Sequence, residues 1–186
     1  MDTINNIQLA AFLPHSRANG PGLRSVLWVQ GCPFRCLGCF NKDFLDFNGG
    51  RTVTITEVVN WILAETDTEG VSFSGGEPFS QAAPLAKVAE LVHQAGKGVL
   101  VFTGFTYNAL IDNPQSTIKD LLAASDLLVA GPYQRNNPSK HSLLASSNQE
   151  LIFLSDRYRN VNFSKRRVEI HINLAGEVTT TGFPYK

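Results

Sequence analysis

Outside one eight-residue stretch the sequence has no cysteine: Cys32, Cys36 and Cys39 are the only ones in 186 residues. Three clustered thiols cannot build the paired framework of a small secreted domain, so reduced thiols and a cytoplasmic location are expected. There is no excess of either charge, with 16 Lys plus Arg against 16 Asp plus Glu, and so no basic field of the kind that gathers nucleic acid. No apolar run approaches the ~18 residues a membrane span takes. The first residues, MDTINNIQLAAFLP, lack the basic start and long apolar centre of a signal peptide. Repeats, low-complexity tracts and linkers are also missing. Neither a nucleic-acid nor a membrane partner is expected, and residues 1–186 read as a single domain.

A hydrophobic share of 43% is enough for one packed core. Short apolar runs alternate with helical patterns. RSVLWVQG (24–31), GVSFSGGEP (70–78), GVLVFTG (98–104) and DLLVAG (126–131) read as strands, and QELIFLS (149–155) as a further candidate. TITEVVNWILAE (54–65) has helical spacing behind a Thr cap, with Glu57 placed for a capping box. APLAKVAELVHQAG (83–96) is an amphipathic pattern ended by glycine, and STIKDLLAAS (116–125) is a third helix. The end, RRVEIHINLAGEVTTTG, alternates like a hairpin closed around LAGE. Strand–helix alternation implies an α/β fold with a mostly parallel sheet. Four or five such strands are too few for a closed eight-stranded barrel, so an incomplete, TIM-like βα barrel open on one side is expected.

The cysteines leave the first predicted strand at its carboxyl end, where α/β folds collect ligands. Gly31, Pro33 and Gly38 keep the loop irregular, so three sulfurs can converge. Three thiolates can hold three irons of a [4Fe–4S] cube and leave the fourth iron open to an outside ligand. Zinc is the alternative, with His15 or another distant residue as fourth ligand, but the C-x3-C-x2-C spacing lacks the paired C-x2-C arms of usual zinc sites. Three unliganded buried cysteines are the bland possibility. The next strand ends in SGGEP (74–78), where Gly75 and Gly76 let backbone come close to a ligand and Glu77 adds a carboxylate.

The cysteine spacing just after a strand, with GGEP in the following βα unit, resembles the radical S-adenosylmethionine enzymes. That resemblance implies a [4Fe–4S] cluster on Cys32, Cys36 and Cys39 and S-adenosylmethionine chelating the open iron. It implies reductive cleavage to a 5′-deoxyadenosyl radical, with Gly75, Gly76, Glu77 and Pro78 forming the turn that receives the methionine amine. NGPGLR (19–24), CLGCFNK (36–42), LLVAGPY (127–133) and NPSKHSLLASSNQ (137–149) are similar to segments of the activators of glycyl-radical enzymes, the anaerobic ribonucleotide reductase activating proteins above all. The resemblance then implies an oxidoreductase that takes hydrogen from a glycine of a partner glycyl-radical enzyme. It also implies a small electron donor such as flavodoxin or ferredoxin. The position before the third cysteine is Gly38, which has no side chain to stack on adenine, so main-chain contacts from Gly38 to Phe40 are expected instead. Core packing is the other reading of Phe40.

The likeness spans about Asn19 to Ser155. Ala130 and Pro132 stand where the family usually carries charge, and Ala145 where it has an arginine. Residues from about 156 form a C-terminal extension, in which Arg157, Arg159, Lys165, Arg166 and Arg167 read as a solvated surface or, less simply, a patch for an acidic partner. His93 and His171 read as structural or surface residues. Tyr107 and Tyr133 are aromatics that could line a cavity. Two other functional readings stay open: a radical S-adenosylmethionine tailoring enzyme for a small molecule or peptide, and a non-catalytic metal-binding module.

Overall fold

The computed structural model describes residues 5–163, 167–172, 175, 176 and 178–183. The expected strands appear as β2 (Arg24–Val29), β4 (Gly70–Gly75), β5 (Gly98–Thr103) and β6 (Leu127–Ala130). They pair in parallel in the order β2-β4-β5-β6. Between them run α1 (Ile55–Ala64), α2 (Ala82–Gln94), the short α3 (Tyr107–Ile111) and α4 (Ser116–Ala123). Three antiparallel strands extend this block: β1 (Asn6–Ser16) beside β2, β3 (Arg51–Thr54) beside β1, and β7 (Glu150–Phe153) beside β6. The result is a seven-stranded, largely parallel sheet in a mixed α/β fold. A separate hairpin of β8 (Val168–Ile172) and β9 (Val178–Gly182) follows. Of the LAGE stretch expected to close it, Leu174 and Glu177 lie outside the described residues, as do Lys165 and Arg166 of the predicted basic cluster.

Two faces of burial explain the continuous apolar runs. Side chains alternate across a strand. Val99, Val101, Leu128 and Ala130 enter a large core shared with α1, α2 and α4. Leu100, Leu127 and Val129 enter a second core on the opposite side, with Leu143 and Tyr158. Strands covered on both faces need apolar residues at every position. The helix starts follow local rules: the Thr54 hydroxyl accepts the Glu57 N–H at 3.2 Å, and the Glu57 carboxylate accepts the Thr54 N–H at 2.8 Å, which is the predicted capping box.

His93, read as structural, belongs to a network around Asp126. The Asp126 carboxylate accepts from the Val99 N–H at 2.8 Å and from the Ser155 hydroxyl at 2.6 Å, and it lies 2.8 Å from His93 Nε2. Burial alone would push this carboxyl up, but the bonds from Ser155, Val99 and His93 outweigh it and hold it below the usual carboxylate range. A carboxylate held down in this way stabilises the fold above its unfolded pKa and ceases to do so as pH falls through the lower folded value. Asp126→Asn should therefore cost about 1–3 kcal/mol at neutral pH, and the gap to the parent should narrow in chemical denaturation repeated at pH 3. An equal gap at both pH values would exclude the ionised form as the stabilising one.

Candidate functional site

The carboxyl ends of β2, β4, β5 and β6 surround a cavity of about 510 Å³. All three cysteines line it, coming from the loop after β2, together with Gly75 at the end of β4 and Gly76 and Glu77 after it. Thr103 at the end of β5 and Gly104 after it, and Gly131 and Tyr133 after β6, complete that rim. The parallel arrangement gathers these residues, because every strand of the block ends on the same side.

The cysteine loop is held by its own backbone. Gly31 N–H donates to Phe44 O at 2.9 Å and Cys32 N–H to Leu45 O at 3.1 Å. The Gln30 side chain donates to Asp46 O at 2.7 Å, and Asn41 Nδ2 reaches Gly75 O at 3.1 Å, tying the loop to the end of β4. Glu77 N–H donates to Gly31 O and Gly76 N–H to Val29 O, so the two predicted motifs are directly joined.

The roles within the glycine turn differ from what the sequence suggests. Gly76 is needed because backbone comes close, and that backbone is the cysteine loop: a Cβ there would lie 2.2 Å from Gly31 O and 2.9 Å from Phe44 O. A side chain at 76 would strike the loop before filling any ligand space. Gly76→Val is thus expected to lose iron content and S-adenosylmethionine binding together, with destabilisation of about 1–3 kcal/mol or more. Iron per chain after anaerobic reconstitution checks this. A variant with a full cluster and only a cofactor defect would show that the loop tolerates the side chain.

Glu77 is buried, and its carboxylate is occupied: it accepts the Phe79 N–H at 2.9 Å, the Thr103 hydroxyl at 2.8 Å and the Gly104 N–H at 2.8 Å. Burial pushes this carboxyl up to about 7 against the lowering effect of those three bonds. Glu77 therefore braces the β4 turn against the end of β5. Pro78 is buried in the short helical turn that follows and does not line the cavity. Gly38 does not line it either. It adopts φ +72°, a conformation most residues avoid, and a Cβ would meet the Arg135 side chain at 2.7 Å.

Phe40 is 44% exposed and on the cavity wall, so it is not a core residue. It tilts against Tyr133 at 5.0 Å and Phe183 at 5.7 Å. Of the two tyrosines singled out, Tyr133 lines the cavity and Tyr107 packs on the main core. His15 is remote from the cysteines and sits 3.1 Å from both Glu65 and Asp67. Arg157 pairs with Glu69, and Arg159 with Asp156.

Sequence reading missed other wall residues. Gln149, in the Ser-Ser-Asn-Gln stretch, donates to Gly131 O at 3.0 Å, and Asn148 donates to Pro132 O at 2.7 Å. This stretch clamps the end of β6 beside the cavity, which gives the segment a structural purpose. Thr179–Phe183, from the C-terminal hairpin, form a further wall that nothing in the motifs signalled.

The donor set suits an iron–sulfur cluster. Three soft sulfur ligands face one cavity, and no histidine is among the residues lining it. Burial pushes the Cys32 thiol up to about 11 and also raises Cys39, so these sulfurs become thiolates when a cation takes the place of their protons.

Fold and site together define a class: an α/β domain that gathers three cysteine sulfurs in one cavity at the carboxyl edge of its parallel strands. Residues 18–152 match the family described as a 4Fe-4S single cluster domain. The anaerobic ribonucleoside-triphosphate reductase-activating protein of Vibrio cholerae is 34% identical over 132 residues, covering 66% of this chain and 81% of that protein. The pyruvate formate-lyase 1-activating enzyme of Escherichia coli is 28% identical over 149 residues, covering 77% of this chain and 59% of the enzyme. The chain thus spans about three-fifths of the length of that relative. A solved structure, QueE from Escherichia coli, has a TM-score of 0.44 and 16% identity, covering 54% of this chain and 53% of that one. The chain belongs to the 4Fe-4S single-cluster family, in the radical S-adenosylmethionine activase group that these relatives represent, and its cofactors are an iron–sulfur cluster and S-adenosylmethionine.

Proposed function

We propose that this protein is a radical S-adenosylmethionine oxidoreductase that activates a partner glycyl-radical enzyme by removing a hydrogen atom from one of its glycines. The observation that supports this reading best is that Cys32, Cys36 and Cys39 share one cavity with the Gly75–Glu77 turn. Cys32, Cys36 and Cys39 are read as the cluster ligands. Gly75 and Gly76 are read as the backbone on which the methionine part of the cofactor rests, and Phe40 as a wall for the rest of it. When bound, cluster and cofactor together supply reductive cleavage of the sulfonium and a hydrogen-abstracting radical.

The chain's own contribution is positional. The Glu77 brace and the Asn41 bond hold the turn and the cysteine loop in register, and the aromatic wall of Phe40, Tyr133 and Phe183 limits water on one side. The sheet is read as an incomplete βα barrel within a single domain. Residues from about 156 are read as an extension that closes part of its open flank. A small reductant protein such as flavodoxin or ferredoxin would supply the electron, in a cytoplasmic setting that keeps the thiols reduced. Among the described residues no helix is long and apolar enough to cross a membrane.

The test is anaerobic mixing of reduced protein, S-adenosylmethionine and the glycyl-radical enzyme of the same cell, followed by electron paramagnetic resonance. The expected signal is a doublet that collapses when the partner carries α-deuterated glycine. Formation of 5′-deoxyadenosine in step with turnover of a small metabolite, without a protein partner, would replace this reading with the tailoring-enzyme one.

A further inference from the structure

The cavity wall formed by Thr179, Thr180, Thr181, Gly182 and Phe183 has an unusual property: it is made of five consecutive residues. Neighbouring side chains of a strand point to opposite faces, so side chains alone would line a cavity at every second position. An unbroken run along β9 means that the strand's edge, with its backbone N–H and C=O groups, is what meets the cavity. The other edge of β9 is paired with β8, from Val168↔Gly182 to Ile172↔Val178. Among the described residues no strand pairs with the cavity-side edge.

This edge is held in place. On one face of the hairpin, Glu169 stands opposite Thr181. The Glu169 carboxylate accepts from the Ser16 hydroxyl and from the Arg17 N–H, and Asn19 Nδ2 donates to Thr181 Oγ1 at 2.7 Å. These contacts fix the hairpin to the end of β1 and the loop after it. At the far end Phe183 packs on Phe40 and, at 6.2 Å, on Phe102. A free strand edge held rigidly beside a cavity is a template for strand addition, since its main-chain groups are preorganised and need partners.

We propose that β9 is the docking strand for the partner: an extended segment of the glycyl-radical enzyme pairs with its free edge and so guides its glycine to the cysteine side of the cavity. This deepens the activase reading and rests on it. The occupant must be a polypeptide in extended conformation, because the edge offers a row of main-chain donors and acceptors and no charge among its Thr-Thr-Thr-Gly residues. The residue that reaches the aromatic end must be small, since any side chain there would meet Phe40 or Phe183; glycine meets that requirement. The hairpin lies outside residues 18–152, the part that matches the family. The docking strand thus lies beyond the part of the chain that carries the family match, and on this proposal it sets the choice of partner.

The test uses reconstituted protein and a fluorescent peptide spanning the glycine of the glycyl-radical enzyme from the same cell. Each backbone amide of the peptide is N-methylated in turn, and binding is followed by anisotropy. Strand addition predicts alternation: every second N-methyl group weakens binding about tenfold or more, and those between have little effect. The alternation should vanish in protein carrying Thr179→Pro and Thr180→Pro; its persistence there would remove β9 as the docking strand. If the peptide binds and the partner acquires its radical but the N-methyl effects do not alternate, strand pairing is wrong and the activase reading stands. If no peptide binds, no radical forms and a small metabolite is turned over instead, both fall.

Discussion

Alanine at Cys32, Cys36 or Cys39 is expected to give a folded protein that holds no cluster. The parent chain, reconstituted anaerobically, should carry about four irons and four sulfides. Each single variant should lose the visible absorbance and the cleavage of S-adenosylmethionine completely. With two thiolates left, no soft donor replaces the third: the cavity lining contains no histidine, its carboxylates Asp43 and Glu77 offer only hard oxygens, and Glu77 is already bonded to Phe79, Thr103 and Gly104. The fold should persist because the cysteines belong to neither hydrophobic cluster, and Cys36 and Cys39 are only half-buried. Thermal unfolding of the Cys36→Ala apoprotein should match that of the parent apoprotein to within about 0.5 kcal/mol. A single variant that kept four irons and its activity would refute the ligand assignment. Stoichiometric zinc without iron in the parent would favour the metal-binding module.

Arg24→Ala should cost about 3–5 kcal/mol, as for a large buried side chain whose removal also unpairs acceptors. Arg24 is fully buried at the amino ends of the parallel strands, opposite the cavity. Among the described residues no carboxylate forms an ion pair with it. Its guanidinium instead donates to Pro21 O, Ser72 Oγ, Tyr158 OH, Val71 O and, more weakly at 3.3 Å, Gly98 O, and it lies 5.4 Å from the Tyr158 ring centroid. Oxygens and a ring face take the place of water around this buried cation. Its removal leaves those acceptors unpaired and opens a cavity between β2, β4 and the segment around Tyr158. Against a total stability of about 5–15 kcal/mol this is a large fraction, and the melting midpoint should fall by about 10 °C or more. Arg24→Lys should recover only part of the loss, since one ammonium cannot span acceptors on Pro21, β4, β5 and Tyr158 at once. A variant within 1 kcal/mol of the parent in urea would show that the acceptors are satisfied without it.

Arg24 also marks a limit of sequence reading. It was legible as part of NGPGLR, a segment similar to activators, yet its burial depends on Tyr158, which lies 134 residues away. The strand β1 was hidden for a related reason. NIQLAAFLPHS shows neither strict alternation nor a continuous apolar run, because irregular pairing with β2 shifts its register twice. β3 is four residues long and ends on the Thr54 that caps α1, so the helix signal masked it.

What the sequence determined by itself is what depends on neighbours in the chain. The four parallel strands carry their own apolar runs, α1 carries its capping box, and Cys32, Cys36 and Cys39 with the following glycine turn declare soft-metal chemistry through residue type and spacing alone. Tertiary structure decided what depends on partners far apart. It turned Gly76 toward the Gly31 carbonyl and spent the Glu77 carboxylate on the end of β5. It also brought Thr179–Phe183 to the cavity wall. A side chain's direction and partners follow from which strands lie beside it, and strand adjacency is a property of the packed sheet that no local spacing encodes.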